Sequence, residues 1–215
     1  MRRREPAVLL ALGAVLLVLS GIDPKDRYTW ILEVAPAVVA AIVLVATHRR
    51  FPLTPLAYRL ILLHACILMV GGHYTYAEVP LGFWVQRAFG LARNHYDRLG
   101  HFAQGFVPAI VAREILLRRT ALKRGGWTFF LVTCVCLAIS AFYELVEWWT
   151  ALASGEAATA FLGTQGDVWD TQWDMFIALI GAVTAQLTLS RVHDRQLDAL
   201  RAARPAPLRA AVSAR

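Results

Sequence analysis

Six long apolar runs dominate this sequence, and each is close to the length that crosses a lipid bilayer. About 20 helical residues span the roughly 30 Å hydrocarbon core. Since a backbone in lipid must satisfy its own hydrogen bonds, runs of this length are expected to be helices rather than barrel strands. The runs are Pro6–Ile22, Ile31–Thr47, Tyr58–Tyr74, Leu99–Leu117, Trp127–Trp149 and Thr171–Ser190. The sequence therefore predicts an all-α, polytopic membrane bundle of about six transmembrane helices.

Composition supports the membrane class and limits the domain organisation. Hydrophobic residues make up 58% of the 215 residues and charged residues 17%, against about 45–50% and 25% in soluble domains. A disordered chain, a disulfide scaffold and a soluble two-domain enzyme are excluded. We predict one integral-membrane domain over residues 1–190. Residues 191–215 form a basic tail, interpreted as a helix end followed by a disordered cytoplasmic strand.

The first apolar run has two interpretations. Arg2, Arg3 and Arg4 followed by this apolar run resemble the charged and hydrophobic regions of a signal peptide. No convincing Ala-x-Ala cleavage site follows the run. We interpret it as a retained helix, and cleavage would leave five helices in the same orientation. The three cysteines all lie inside predicted spans and are expected to be apolar packing residues.

The basic residues predict the orientation of the bundle. If the N-terminus is cytoplasmic, 17 of the 22 arginines and lysines fall on the inner side, and 11 of the 15 acidic residues fall on the outer side. Positive residues in short loops stay in the cytoplasm. Both termini are therefore expected inside. The formal charge of +7 then indicates topology and contact with anionic lipid rather than binding of nucleic acid.

Polar residues collect at the predicted outer ends of the last three spans. Three blocks carry them: residues 93–105, 142–149 and 163–175. Their spacing is helical, because residues three, four or seven positions apart share one face. The pairs and triplet with this spacing are Asp97 with His101, Glu144 with Glu147, and Asp167 with Asp170 and Asp174. The topology brings all three helix ends to the same membrane surface.

Such a cluster needs a proton or a cation, because carboxylates close together in low dielectric repel one another. Carboxylates with imidazole suit zinc, manganese or iron, and carboxylates with water suit magnesium or calcium. The candidate ligands of a divalent metal are His95, Asp97, His101, Glu144, Glu147, Asp167, Asp170 and Asp174, and a contribution from His73 stays open. Asp97, His101, Glu144 and Asp174 are also the candidate catalytic acids and bases. Arg93, Arg98, Gln104 and Gln165 are candidates for holding an anionic or polar ligand.

Structural roles compete with these functional ones. Asp167, Asp170, Asn94 and Asp97 are also placed to cap helix N-termini. Glu144 and Glu147 have no such explanation at the predicted C-terminus of a span, where negative charge is unfavourable. Four polar residues elsewhere have simpler interpretations: Glu33 as a partner of Arg27, a snorkelling side chain or part of a substrate site, Glu114 as a solvated or paired terminus, and His48 and His193 as surface residues.

Three sequence blocks resemble a known family. Residues 94–106 (NHYDRLGHFAQGF), 142–148 (FYELVEW) and 163–175 (GTQGDVWDTQWDM) strongly resemble the YjdF-type family of bacterial inner-membrane proteins. The resemblance implies a multi-pass inner-membrane protein and supplies no reaction. A looser likeness connects Asp97–Phe102, Glu144–Glu147 and Asp170–Asp174 with VanZ-like membrane proteins, which implies a role at the cell envelope. Glu147 and Asp174 replace the Gln and Asn of that pattern.

Three functions are compatible with this pattern. The first is an enzyme that acts on a lipid or cell-envelope precursor at the outer face with a divalent metal or shared acid–base chemistry. The second is a proton- or cation-coupled transporter or lipid-handling protein, which needs a polar path to the inner side. The third is a structural or partner-binding protein with a buried polar lock. The one-sided placement of the acids favours the enzyme.

Overall fold

The computed structural model describes residues 4–155 and 159–203. In these ranges all regular secondary structure is helical, and no strand occurs. The helices are α1 Glu5–Ser20, α2 Arg27–Thr47, α3 Pro55–Tyr74, α4 Pro80–Phe89, α5 Tyr96–Arg119, α6 Gly126–Ser154, α7 Thr159–Leu162 and α8 Asp170–Ala202, with a 3-10 turn at Tyr76–Glu78. Each of the six predicted spans corresponds to one helix. The predicted fold class is confirmed.

The helices differ in how well they suit a lipid environment. By length and composition, α2, α3, α6 and α8 can each cross a membrane, and α1 is apolar but only 16 residues long. The 24-residue helix α5 carries charged residues in its first and last turns. It packs against α3, α6 and α8. The most polar of the long helices is therefore enclosed by the others, where its charged side chains find protein partners.

Local sequence signals explain where several helices begin and end. The Asp26 carboxylate accepts a hydrogen bond of 2.6 Å from the backbone N–H of Thr29 at the start of α2. Thr54 caps α3, and Pro55 occupies the first helical position, where no backbone N–H is needed. Gly90 ends α4 in the left-handed conformation. The connection between the third and fourth predicted spans thus contains a short helix of its own.

Helices α5 and α8 pack closely through two glycines. A Cβ atom on Gly105 would overlap the carbonyl oxygen of Ala178, and one on Gly181 would overlap the carbonyl oxygen of Phe102. The alanines of α8 on this face, at positions 178, 182 and 185, are fully buried. Small residues around Gly181 thus allow close helix packing. This contact brings the first turns of α5 alongside those of α8.

An apolar layer fills the middle of the bundle. It contains Ala109 and Ile110 from α5, Val132 and Cys136 from α6, and Ala182 from α8, all fully buried. Cys136 is a packing residue as predicted, whereas Cys134 is exposed on the other side of the same helix. Along each of these three helices the layer separates two groups of polar residues. It divides the bundle into two chemically distinct ends.

The connecting segments sort onto these two ends by charge. The basic end consists of the start of α1, residues 48–54 and 120–125, and the end of α8. Contacts across it include Glu5 with Arg59 at 2.7 Å and Arg124 with Asp198 at 2.6 Å. The acidic end consists of residues 21–26, 75–96 and the described part of 155–170. This grouping agrees with the predicted sides, and the excess of basic residues assigns the basic end to the cytoplasm.

Two helices extend beyond their predicted ends. Helix α6 continues past Trp149 to Ser154, so Glu144 and Glu147 lie inside the helix. The expectation that they occupy a helix C-terminus was wrong, and the dipole argument does not apply to them. Helix α8 continues past Ser190 to Ala202. Residues 191–202 are therefore helical, and the disordered strand expected over 204–215 lies outside the described residues.

The extension of α8 builds a polar cluster at the basic end. Glu114 is fully buried, and its carboxylate accepts hydrogen bonds from the Thr54 N–H at 3.1 Å and the Thr54 hydroxyl at 2.7 Å. His193 Nε2 lies 3.2 Å from it, and Arg118 forms an ion pair with it. Glu114 is thus a paired group. The interpretation of His193 as a surface residue was wrong, because the longer helix buries it completely. His48 contacts the Tyr58 hydroxyl at 2.8 Å.

Candidate functional site at the acidic end

His101 is the centre of a buried cluster of acids. Its Nε2 lies 3.5 Å from Asp97 Oδ1 and 3.8 Å from Asp174 Oδ2. Its Nδ1 lies 3.1 Å from Gln104 Oε1 and 3.8 Å from Glu144 Oε1. The exposed fractions are 5% for His101, 8% for Asp97, 7% for Glu144 and 2% for Asp174. The four predicted catalytic residues therefore come together in one place.

Three helices position this cluster. Asp97, His101 and Gln104 occupy one face of α5 because they are four and three residues apart. Asp174 reaches this face from α8 through the close α5–α8 packing at Gly105 and Gly181. Glu144 comes from α6, which packs against both α5 and α8. The site thus depends on helix packing as well as on helical spacing.

The Gln104 amide orients the imidazole of His101. The Gln104 oxygen faces Nδ1, and an amide oxygen only accepts hydrogen bonds. The other ring nitrogen, Nε2, faces Asp97 and Asp174. Metal-binding histidines in proteins are held by the same kind of second hydrogen bond. Gln104, predicted to hold a ligand, contacts the site histidine instead.

Two overlapping sets of side chains have the geometry of a metal site. Asp97, His101 and Asp174 form one set, and His101, Glu144 and Glu147 form the other. In each set the three potential ligand atoms lie within 4.8 Å of one another. Asp97 and Asp174 of the first set lie beside Nε2 of the imidazole, and Glu144 of the second set lies beside Nδ1. Five of the eight predicted metal ligands therefore belong to one set or the other.

Two buried carboxylate oxygens in the cluster have no hydrogen-bond partner among the described residues. They are Asp174 Oδ1 and Glu144 Oε1. A buried polar group without a partner is costly, and a buried charge more so. These two oxygens are therefore the candidate positions in the cluster for binding a proton or a cation.

Glu33 from α2 adds another acid to this region. It is buried, and it interacts electrostatically with Asp97 and His101 and contacts Tyr76 and Tyr143. This position agrees with the interpretation of Glu33 as part of a substrate site. It does not agree with the interpretation of Glu33 as a partner of Arg27. Sequence reasoning missed the two tyrosines. Tyr143 lies in one of the three outer-end blocks and Tyr76 in the connection after the third predicted span, but helical spacing alone did not indicate the direction of their side chains.

The remaining predicted ligands form a rim of ion pairs above the cluster. Arg93 contacts Asp170 at 2.6 Å, and Arg98 contacts Asp167 at 3.0 Å. The Arg98 guanidinium also lies 5.0 Å from the Trp173 ring centre. Asp167 and Asp170 are thus neutralised by arginine and do not join either potential metal set. The same pairs occupy the two arginines that were predicted to hold an anionic ligand.

Hydrogen bonds join the two loops of the rim. Gln165 donates to the Asn94 carbonyl at 2.7 Å, and its side-chain oxygen accepts from the Asn94 N–H at 3.2 Å. Asn94 Oδ1 accepts from the N–H of Tyr96, and Asp167 Oδ1 accepts from the N–H of Trp169. These bonds hold the turns that lead into α5 and α8, whereas the N-cap residues are His95 and Trp169 and make no side-chain cap bond, so the capping interpretation was wrong for Asp97 and Asp170, which lie inside the helices. Gln165 therefore connects loops rather than lining the cluster.

Neither of the other outer histidines joins the acids. His95 lies just before α5, and burial, together with Arg98 and Arg93, holds the pKa of its imidazole below the usual range. His95 belongs to neither potential metal set. His73 contacts the carbonyl oxygen of Ser20 at 2.9 Å and ties α3 to the end of α1. The prediction of His95 as a metal ligand is not supported by this arrangement.

The fold and the cluster define a multi-pass helical membrane protein with an acidic, histidine-containing site buried near one end. The family model described as "Predicted membrane protein (DUF2238)" matches residues 5–195. The chain belongs to this family. It is 60% identical over 183 residues to Inner membrane protein YjdF of Escherichia coli strain K12, which covers 85% of this chain and 88% of that protein.

These relationships confirm the resemblance to the YjdF-type family and the inner-membrane, multi-pass location. The likeness to VanZ-like membrane proteins is not shown by the comparisons. No solved structure matches the chain.

Proposed function

We propose that this protein binds a divalent cation through Asp97, His101 and Asp174, and that it is a membrane-embedded enzyme acting on a lipid or cell-envelope precursor at the outer face. The observation that carries the proposal is the convergence of Asp97, His101 and Asp174, whose potential ligand atoms lie within 4.8 Å of one another, with a buried Asp174 oxygen that has no hydrogen-bond partner. A cation bound there supplies the missing partner and the counter-charge for two carboxylates.

The choice of metal follows from the ligand types. One imidazole nitrogen with two or more carboxylate oxygens suits zinc, manganese or iron better than magnesium or calcium. The hydrogen bond between Gln104 and His101 Nδ1 supports this assignment, because it fixes the ring orientation that Nε2 coordination needs.

The chemistry of the site follows from its remaining groups. Bound by these residues, such a cation would supply Lewis-acid chemistry at a substrate carbonyl or phosphoryl oxygen. Glu144 faces the opposite side of the same ring, at 3.8 Å from Nδ1, with an oxygen that has no hydrogen-bond partner. We assign Glu144, with Glu147 beside it, as a carboxylate that holds a proton on the Nδ1 side of His101, away from the proposed cation position.

The two competing functions fit the observations less well. A structural lock has satisfied groups, as Glu114 at the basic end has, whereas the acidic cluster leaves Asp174 and Glu144 oxygens without partners. A transporter needs polar groups leading from His101 to the basic end. On α5 this route passes Ala109 and Ile110, which belong to the buried apolar layer. The enzyme therefore remains the preferred function.

Metal content is the direct test of the proposal. The detergent-purified protein is loaded in turn with zinc, manganese, iron and magnesium, desalted, and measured by elemental analysis. Wild type is expected to retain about one transition metal ion per chain, and Asp174→Asn, which keeps the side-chain shape, to lose affinity by at least about tenfold. Asp167→Asn is the matched control, because its carboxylate is held by Arg98 outside the cluster.

The enzymatic part needs a second measurement. Cells that lack the gene are complemented with wild type, Asp174→Asn or Glu144→Gln, and inner-membrane lipids and envelope precursors are compared by mass spectrometry. We expect one species to accumulate in both variants and not with wild type. Failure of every metal to bind the wild type refutes the cation site. An unchanged lipid and precursor profile in a metal-binding protein refutes the enzyme.

A further inference from the structure

We propose that the crevice between α1 and α2 binds one acyl chain of a phospholipid from the cytoplasmic leaflet, with its anionic headgroup at Arg49. This site lies at the periphery of the bundle and is independent of the acidic cluster. It is a lipid-binding site in its own right, selective for headgroup charge.

The crevice results from the way α1 and α2 are attached. At the acidic end the two helices are tied together, since the Trp30 indole donates to the Ser20 hydroxyl at 3.1 Å. The turn between them is fixed to α3 by the hydrogen bond from the Lys25 N–H to the His73 carbonyl. Below this point each helix packs against α3, but the two have few contacts with each other. The gap between them therefore opens towards the basic end.

The crevice has the size and chemistry of a hydrocarbon site. Its volume is about 450 Å³, within the roughly 300–1,000 Å³ of typical ligand pockets. Its walls are almost entirely apolar and come from three helices. The lining includes Leu10 and Gly13 from α1, Ala41 and Val45 from α2, and Leu62 and Met69 from α3. Since the surrounding medium is the bilayer, a lipid chain fills this space without exposing any polar group.

Charge at the open end selects the headgroup. His48 and Arg49 line the crevice there. His48 is engaged by the Tyr58 hydroxyl, whereas Arg49 is exposed and forms no ion pair with any residue in 4–155 or 159–203. The nearby acid Glu5 is already neutralised by Arg59. An anionic phosphate headgroup can therefore pair with the Arg49 guanidinium at the open end, where the acyl chain enters the crevice.

Native mass spectrometry tests the site with defined lipids. The full-length protein is purified in mild detergent and mixed with equal amounts of phosphatidylglycerol and phosphatidylethanolamine. Ala41→Phe and Val45→Trp fill the crevice, and Ala46→Phe is the control because Ala46 is exposed on α2 outside the lining. Arg49→Gln removes the charge, and Arg50→Gln makes the same change one residue away, also outside the lining. A single monodisperse peak and unchanged helical circular dichroism establish folding of each variant.

We expect wild type to retain one lipid, preferentially phosphatidylglycerol. At least one folded crevice-filling variant is expected to reduce the lipid-bound fraction by about tenfold relative to Ala46→Phe. Arg49→Gln is expected to reduce the preference for phosphatidylglycerol by about fivefold, the factor equivalent to about 1 kcal/mol per basic residue at a membrane surface. Equal binding by the filled and control variants, equal effects of the two arginine changes, or a lipid-free dimer of wild type would each overturn the proposal.

Discussion

Replacing Glu114 with glutamine is expected to destabilise the bundle strongly. The Glu114 carboxylate is fully buried and accepts hydrogen bonds from the Thr54 N–H and hydroxyl, from His193 and from Arg118. These contacts join the start of α3, the end of α5 and the extension of α8. Glutamine keeps the shape but replaces one acceptor oxygen with a donor NH₂ group. The change therefore places the glutamine NH₂ group against groups that themselves donate hydrogen bonds, and it removes the negative charge that pairs with Arg118.

The size of the effect follows from the burial of this cluster. Removing one partner of a buried ion pair costs about 3–5 kcal/mol, because the other charge stays buried without compensation. In a chain of 150–250 residues, 1 kcal/mol corresponds to about 2–4 °C in the unfolding midpoint. Together these values give a decrease in Tm of roughly 6–20 °C.

Thermal unfolding in detergent, followed by intrinsic tryptophan fluorescence, measures this difference. Asp198→Asn is the matched control, because it removes a carboxylate from the same end of the molecule, where the Asp198 side chain is 57% exposed and pairs with Arg124. Exposed pairs contribute little, so the control is expected to unfold at the wild-type temperature within error. Equal midpoints for the two variants would show that the Glu114 cluster does not hold the three segments together.

Three further predictions concern helix packing, the rim and the orientation. Gly181→Val is expected to lower Tm by several degrees, because any Cβ there overlaps the Phe102 backbone and overpacking costs about 1–3 kcal/mol. Gly126→Ala is the control, at a position with open space, and is expected to leave Tm unchanged. Equal midpoints for the two variants would contradict the close α5–α8 contact. Asn94→Ala is expected to lower Tm by a comparable amount, because the Asn94 side chain is buried with hydrogen bonds at both ends; an unchanged midpoint would mean that these bonds are dispensable. In a cysteine-free background, an impermeant maleimide is expected to label Arg87→Cys in intact spheroplasts and Lys123→Cys only after lysis, and the reverse pattern would refute the orientation.

Much of the fold was predictable because membrane insertion imposes simple rules. Length and hydrophobicity identified all six long helices, and the distribution of arginine and lysine separated the two ends. The errors lie at helix ends, where the spans were limited to apolar residues. Helix α8 continues into the polar sequence around His193 because protein contacts, rather than lipid, stabilise that part of it. Hydrophobicity carries no information about such an extension.

The candidate site was predictable in part for a similar reason. Helical spacing identified Asp97 with His101 correctly, because both lie on one face of a single helix. It failed to separate Asp174, which faces His101, from Asp170, which pairs with Arg93. That difference depends on the loop that carries Arg93 and on how α8 is rotated against α5. Contacts of this kind arise between segments distant in sequence, and periodicity within one segment does not encode them.

The two ends of the bundle present the same types of residue in opposite states. At the basic end, Glu114 and His193 are fully buried, and each charge has its partner within the protein. At the acidic end, His101 is also buried among carboxylates, but Asp174 and Glu144 keep oxygens without partners. Burial alone therefore does not explain the difference, since the same helices α5 and α8 build both clusters. Thr54 and Arg118 supply hydrogen-bond donors and a counter-charge to Glu114 from within the fold, and the cation that we propose at the acidic end would supply the counter-charge for Asp97 and Asp174.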